Sequence, residues 1–164
     1  MSDKETQTEA RTPRDHPDVK IPPPLCYLAF LMAGIFLNSD WSEGEIGSPV
    51  RLLIGALIAL CALSITASEA RNHGKSGSNV EPWKPTTLIL SNGLYAYSRN
   101  PIYVGMTITY AGIAFAAGSW IAFSLLPFCL LVIRYHVIAR EEVYLEEKFG
   151  DEYLSYKASV RRWI

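Results

Sequence analysis

The chain has 164 residues, a formal net charge of −1 and 49% hydrophobic residues. A chain of this length normally makes one domain, and a net charge near zero argues against a nucleic-acid partner. The apolar residues are concentrated in blocks with the charged residues between them, which is typical of a membrane protein rather than of a soluble one. Its cysteines and histidines are scattered without ligand spacing, so no metal site is expected.

The N-terminal half contains a polar tail and two apolar blocks. Residues 1–20 carry mixed charges without periodicity, which predicts a mobile cytoplasmic tail, and the acids within it argue against a signal peptide. The first block, residues 25–37, is short, but with Ile21 and Trp41 as its interfacial ends it is long enough for a tilted crossing. A re-entrant segment is the alternative. The second span is predicted over residues 50–67.

The C-terminal half contains two more apolar blocks, at residues 101–117 and 120–137. Because only two residues join them, they are expected to form a tight antiparallel hairpin. Gly105 and Gly112 are seven residues apart and therefore lie on one helix face, where small residues let another helix approach closely.

The distribution of basic residues predicts the topology. The tail, the segment 69–99 and the C-terminal region hold nearly all the Lys and Arg, so four crossings with both termini in the cytoplasm satisfy the positive-inside rule. Beyond residue 137 an amphipathic stripe predicts a cytoplasmic helix that lies over the mouth of the bundle, with Gly150 as a helix stop. The predicted fold is therefore an all-α polytopic membrane protein, with residues 21–164 as a single integral membrane domain.

The segment before the third span has the composition of an anion site. Asn92-Gly93 predicts a tight turn, and an extended piece after it would place Tyr95, Tyr97 and Arg99 on one side. Asn100 is a favourable N-cap residue, and Pro101 suits the first helical position. An arginine beside the free N–H groups of a helix start favours an anionic ligand.

A second polar cluster follows the fourth span, at Arg140, Glu141 and Glu142. The hairpin brings it to the same membrane face as the first cluster. Adjacent glutamates point about 100° apart on an α-helix, so at most one faces a pocket squarely. Arg134 shares the face of Glu141 under α-helical periodicity and lies within an apolar span, where a charge is costly and by default functional.

Each of these residues also has an ordinary interpretation. Arg99 could be a positive-inside anchor, the glutamates a solvated helix exit and the tyrosines an aromatic belt. Arg134 could reach the nearby surface with its long side chain.

Taken together, the residues from Pro85 to the C-terminus resemble the isoprenylcysteine carboxyl methyltransferase family and the related phospholipid methyltransferases. The resemblance rests on Gly93-x-Tyr95-x-Tyr97-x-Arg99-Asn100-Pro101-x-Tyr103-x-Gly105, Glu141-Glu142-x-x-Leu145-x-x-x-Phe149-Gly150-x-x-Tyr153-x-x-Tyr156 and Val160-Arg161-Arg162-Trp163-Ile164. The family often has His where this chain has Asn100, and Asn cannot shuttle a proton.

This resemblance implies an integral membrane enzyme that uses S-adenosylmethionine, releases S-adenosylhomocysteine and has no Rossmann domain. Residues 85–164 would be its cofactor-binding half. The cofactor's carboxylate would suit Arg99 and the helix start at Asn100-Pro101, and its ammonium or ribose would suit Glu141 or Glu142. Its adenine would suit an aromatic and aliphatic lining, to which Tyr95, Tyr97, Tyr103 and Phe149 could contribute.

The acceptor is left open by the sequence. An amphiphile such as a prenylcysteine could enter between helices, with Arg134 holding its acid head group, whereas an amine or thiol acceptor would lose a proton to a glutamate such as Glu142 or to solvent. The alternatives are a small thiol or a phospholipid amine as acceptor, a nicotinamide-dependent membrane reductase, and a non-catalytic membrane protein. The oligomeric state is not indicated.

Overall fold

A computed structural model describes residues 16–38, 49–77 and 85–164, and within these ranges the chain is helical, with no strand. The helices are α1 (Pro23–Phe36), α2 (Pro49–Lys75), α3 (Pro101–Ala117), α4 (Trp120–Val132), α5 (Ala139–Phe149) and α6 (Asp151–Ser159). A 3-10 turn, Gly93–Ala96, precedes α3, and a π-helical segment, Ile133–Ile138, joins α4 to α5. The prediction of an all-α fold is confirmed for this part of the chain, whereas residues 1–15 and Trp41 lie outside it.

Two helices are long and apolar enough to cross a bilayer. They are α2 and the continuous helix Trp120–Phe149, with mean hydropathies of 2.2 and 2.0 in their most apolar windows. Only 22% and 28% of those windows are buried inside the protein. Because a core helix of a soluble protein would be mostly buried, these surfaces indicate contact with lipid and thus an integral membrane protein.

The other two apolar helices are shorter than a full span. Helix α1 has 14 residues and α3 has 17, against the roughly 20 that a perpendicular crossing requires. The four-crossing topology therefore remains a prediction. Helix α5 begins directly after Ile138 and carries Glu141 and Glu142 in its first turn, so we expect it to lie outside the bilayer.

The turn between α3 and α4 is closed by two residues with different roles. Gly118 ends α3 in the left-handed conformation, with φ of 66°, which glycine adopts without steric cost. Ser119 caps α4 by accepting a hydrogen bond from the Ala122 N–H, and its hydroxyl donates to the Gly34 carbonyl at 2.8 Å. The predicted tight hairpin is confirmed, and this turn also ties it to α1.

The small-residue face of α3 packs against α2. A Cβ on Gly112 would lie 2.8 Å from the Ala59 nitrogen and 2.9 Å from the Gly55 oxygen, both backbone atoms of α2. Gly105 lies against Thr66 of the same helix. The prediction that these glycines admit a close helix is confirmed, and α2 is the helix they admit.

The π-helical segment Ile133–Ile138 was not anticipated from the sequence. In a π-helix the backbone hydrogen bonds join residues five apart, which accommodates one extra residue in the turn. The side chains that follow are therefore rotated about the helix axis by about one residue relative to a continuous α-helix. This rotation is why Arg134 does not share the face of Glu141. Arg134 is exposed, with its guanidinium 5.4 Å from the ring centre of Tyr135.

The C-terminal region folds back onto the segment that precedes α3. The Tyr156 hydroxyl donates to the Tyr95 carbonyl at 2.8 Å, and the backbone N–H of Arg99 donates to the Arg161 carbonyl at 2.9 Å. Helix α5 ends at Phe149, and Gly150 follows with a positive φ of 53° before α6 begins. The predicted helix stop at Gly150 is confirmed, whereas a cytoplasmic amphipathic helix that lies over the mouth of the bundle stays a prediction.

The described end of the predicted mobile tail is packed rather than free. Pro17 and Val19 are buried, and the Arg140 side chain donates to the Asp18 carbonyl. Burial of these two apolar residues corrects the prediction for residues 16–20, because it packs this part of the tail against the rest of the protein. The mostly polar composition of the tail did not indicate this contact.

Candidate functional site

A cavity of about 220 Å³ lies where α3 begins and where the long fourth helix passes into α5. Its polar and aromatic lining is His73, Tyr95, Arg99, Asn100, Tyr103, Glu141, Glu142, Tyr144, Tyr153 and Tyr156. Its apolar lining includes Pro23, Leu88, Ile89, Leu90, Ile102, Met106 and Ile138. A concave apolar site with a few convergent polar groups is the usual form of a small-molecule pocket.

The segment leading into α3 is helical rather than extended. Gly93–Ala96 is a 3-10 turn, so Tyr95 and Tyr97 point in different directions. Tyr95 is buried in the cavity wall, whereas Tyr97 is 74% exposed and does not line the cavity. The prediction of an extended piece was wrong, because the Asn92-Gly93 turn continues into a tight helical turn instead of a strand.

Arg99 and Glu142 form the charged corner of the cavity. The Arg99 Nη1 lies 3.3 Å from Glu142 Oε1, and Arg162 binds the same carboxylate through two hydrogen bonds of 2.9 and 2.7 Å. Two guanidinium groups thus share one carboxylate, which leaves a net charge of +1. Within the described part of the chain, Arg99 Nε and Nη1 are buried without a hydrogen-bond partner, so this corner retains donors for an anion.

Asn100 occupies the N-cap position of α3 but does not cap it with its side chain. Its amide donates instead to the Arg162 carbonyl at 2.9 Å. Pro101 takes the first helical position as predicted, and it is buried. The first N–H groups of an α-helix have no partner within the helix, so those at the start of α3 are not consumed by this cap.

Glu141 has a different environment from its neighbour Glu142. Its Oε1 accepts a hydrogen bond of 2.7 Å from the Tyr103 hydroxyl. Burial raises the pKa of Glu141 to about 7, against the lowering effect of the Tyr103 hydrogen bond. Near neutral pH this carboxyl can therefore hold or release a proton in the cavity.

The structure brings most of the predicted residues together. Those that line the cavity are Tyr95, Arg99, Asn100, Tyr103, Glu141 and Glu142. Pro101 supports the helix start behind it, whereas Tyr97 and Arg134 lie outside the cavity lining. The roles assigned to these residues remain predictions.

Several cavity residues were missed by sequence reasoning. Tyr153 and Tyr156 are three residues apart on the C-terminal stripe, a spacing that could have indicated a shared helix face. Tyr144, nine residues before Tyr153, gave no comparable signal. His73 gave no such signal, because it lies outside the matched pattern at the end of α2. The cavity therefore draws on more of the chain than the predicted half, residues 85–164.

The chain matches the family model described as phospholipid methyltransferase over residues 50–152. This region covers α2 to the start of α6, including both charged clusters and the hairpin between them. The chain therefore belongs to the phospholipid methyltransferase family, and the resemblance to isoprenylcysteine methyltransferases is confirmed.

Two curated relatives match parts of the chain. A protein-S-isoprenylcysteine O-methyltransferase from Schizosaccharomyces pombe is 36% identical over 73 residues, which are 44% of this chain and 31% of the relative. An uncharacterised protein from Haemophilus influenzae is 66% identical over 35 residues, which are 21% of this chain and 56% of that protein. The chain thus spans less than two thirds of either relative. No solved structure matches it significantly.

Proposed function

We propose that this protein transfers a methyl group from S-adenosylmethionine to an amphiphilic or membrane-embedded acceptor and releases S-adenosylhomocysteine. The observation that carries the proposal is the buried Arg99 guanidinium. It lies at the wall of a cavity beside a helix start, in a chain of a methyltransferase family, with two nitrogens lacking a hydrogen-bond partner among the described residues. Such a group fits the carboxylate of the cofactor.

The remaining lining supplies groups for the rest of the cofactor. Glu141 would face its ammonium or ribose, and Tyr95 and Tyr103 would contribute an aromatic wall for the adenine. Glu142 would hold Arg99 and Arg162 in place rather than contact the reacting atoms. When bound, the cofactor supplies a methyl group already activated by its sulfonium, so the protein's work is alignment and exclusion of water.

The apolar lining supports a lipophilic acceptor. Leu88, Leu90, Ile102 and Met106 belong to the same cavity as the charged corner. An amphiphile could place its chain against these residues and its polar head toward Glu141.

We further propose four membrane crossings with both termini in the cytoplasm. The proposal is supported by the concentration of Lys and Arg in the N-terminal tail, the segment 69–99 and the C-terminal region.

Titration of the full-length protein in detergent with S-adenosylhomocysteine tests this function. The parent should bind, and Arg99→Ala should weaken binding about 10- to 100-fold, because a charged hydrogen bond of about 1.5–3 kcal/mol is lost. Arg99→Lys keeps the positive charge but loses the planar guanidinium that can bind a carboxylate through two hydrogen bonds, so it should bind S-adenosylhomocysteine with intermediate affinity. Arg71→Ala removes an exposed arginine at the end of α2 and serves as the matched control.

Two results would contradict the proposal. Equal affinities of the parent and Arg99→Ala would remove Arg99 from the cofactor site. Thermal stabilisation by NADPH but not by S-adenosylhomocysteine would favour the membrane reductase alternative instead.

A further inference from the structure

His73, in the last turn of α2, is a half-buried histidine whose ring nitrogens are both buried. Its ring stacks on Tyr95, with ring centres 5.1 Å apart and an interplanar angle of 21°. It lines the same cavity as Arg99 and Glu141. Neither of its buried ring nitrogens has a hydrogen-bond partner in the described ranges of the chain.

A neutral imidazole has one N–H donor and one acceptor nitrogen, and buried polar groups are normally satisfied. The described contacts of His73 are made through its ring face, which fixes the plane of the ring but uses neither nitrogen. A molecule bound in the cavity can supply the missing partner, so the geometry is that of a histidine prepared for a ligand.

The charges of the cavity indicate which part of the reaction His73 serves. Arg99 is the one arginine or lysine among the described cavity-lining residues, and the proposed function assigns it to the cofactor's carboxylate. The other charged lining residues are the acids Glu141 and Glu142. An acidic acceptor would therefore meet carboxylates without a free cation, whereas an acceptor with a proton to donate would meet both acids and an imidazole.

We propose that His73 binds the reacting head of the methyl acceptor and removes its proton, an inference that rests on the proposed methyltransferase function. With an ammonium head, one N–H proton passes to the free ring nitrogen of neutral His73, which leaves a lone pair on the acceptor nitrogen. That lone pair forms the new N–C bond as the methyl C–S bond breaks, and the positive charge moves from the sulfonium to the methylated nitrogen. The proton on the imidazolium then returns to solvent.

The full-length protein in lipid nanodiscs allows the test. The probes are methyl-labelled S-adenosylmethionine with phosphatidylethanolamine, and S-adenosylhomocysteine for cofactor binding. His73→Gln keeps a donor and an acceptor but cannot take a proton, and His73→Phe keeps the ring stacking on Tyr95. Both should lower the methylation rate about 100-fold or more, the usual effect of losing a general base, with little change in S-adenosylhomocysteine affinity. His136→Gln, which alters an exposed histidine, is the control.

A second readout does not need turnover. With labelled histidine, the His73 ring signals are assigned by their loss in His73→Gln and followed by NMR while lipid is added. Phosphatidylethanolamine, which carries N–H groups, should shift them, whereas phosphatidylcholine, whose nitrogen has none, should not.

Each other outcome overturns the inference. Parent-like methylation by His73→Gln shows that no proton transfer through the ring is needed, and loss of S-adenosylhomocysteine affinity places His73 at the cofactor. Equal shifts with both lipids, or none with phosphatidylethanolamine, also reject it. A parent that fails to bind S-adenosylhomocysteine refutes the proposed function separately, and the NMR titration still decides on His73.

Discussion

Glu141 and Glu142 are adjacent in sequence, but their carboxylates have different partners. The Glu142 carboxylate is shared by the guanidinium groups of Arg99 and Arg162. Glu141 is hydrogen-bonded by the neutral Tyr103 hydroxyl, and burial raises its pKa to about 7. The folded state therefore holds the Glu141 proton more tightly than the unfolded chain, so this group lowers the stability of the fold as pH rises from about 4.5 toward 7.

Glu141 predicts a proton linked to cofactor binding. A cationic ligand favours the ionised carboxylate and lowers its pKa, so binding of S-adenosylmethionine near pH 7 should release a proton. Calorimetry in two buffers of different ionisation enthalpy measures this release. Glu141→Gln should abolish it and Glu147→Gln, at an exposed position of the same helix, should retain it. Identical binding enthalpies in both buffers for the parent would contradict the linkage.

At this scale, the sequence predicts the charged residues of the site better than their partners. Arg99 and the two glutamates were found because charges beside apolar spans are conspicuous. Their different roles depend on Arg162, which the fold of α5 and α6 brings to the Glu142 carboxylate. Tyr97 was misplaced because alternation along the chain assumes a strand, and a 3-10 turn does not alternate.

Helices α2 and α3 pack so closely that their backbones are in contact. At Gly112 the backbones are near enough that an added Cβ meets backbone atoms of Ala59 and Gly55 at 2.8 and 2.9 Å. A side-chain clash can be relieved by rotation, whereas this one requires the helices to separate. The shape of the cavity depends on the distance between α2 and α3, since His73 comes from α2 and Tyr103 from α3.

Gly112→Ala should therefore destabilise the protein although alanine is the better helix former. The expected cost is about 1–3 kcal/mol from overpacking, seen as a lower melting temperature in detergent and weaker S-adenosylhomocysteine binding. Gly74→Ala is the matched control, because nothing lies within 4 Å of its added Cβ and alanine is the more favourable helix residue. Equal melting temperatures for the two variants would show that α2 and α3 can separate without cost.

The helices could be predicted from apolar blocks, turn residues and the glycine spacing, because these are local signals. The π-helical segment could not, because nothing in the composition of Ile133–Ile138 distinguishes a π-helical turn from an α-helical one. The error for Arg134 follows from that limit, since its predicted face was obtained by counting through this segment.

For the molecule as a whole, the site requires that the turn before α3 and the helix α5 emerge on the same side of the bilayer. Cysteines introduced at Tyr97 and Glu147, both exposed, should be labelled by a membrane-impermeant reagent from one compartment only. A cysteine at Trp120, which is 79% exposed at the start of α4, should be labelled from the other. Cys61 is replaced by serine beforehand because it is exposed, whereas Cys26 and Cys129 are buried. Labelling of positions 97 and 147 from opposite compartments would disprove the shared face.

The extra residue accommodated by the π-helical turn also affects how this family should be aligned. A homologue whose fourth helix remains α-helical throughout would need one residue fewer before its paired glutamates to present them in the same direction. An alignment with a single-position gap within the stretch matching Ile133–Ile138 would then be structurally correct even where an ungapped one scores better. Residue equivalences drawn from either side of that stretch would differ by one position, and assignments copied across it from a relative would name the wrong side chain.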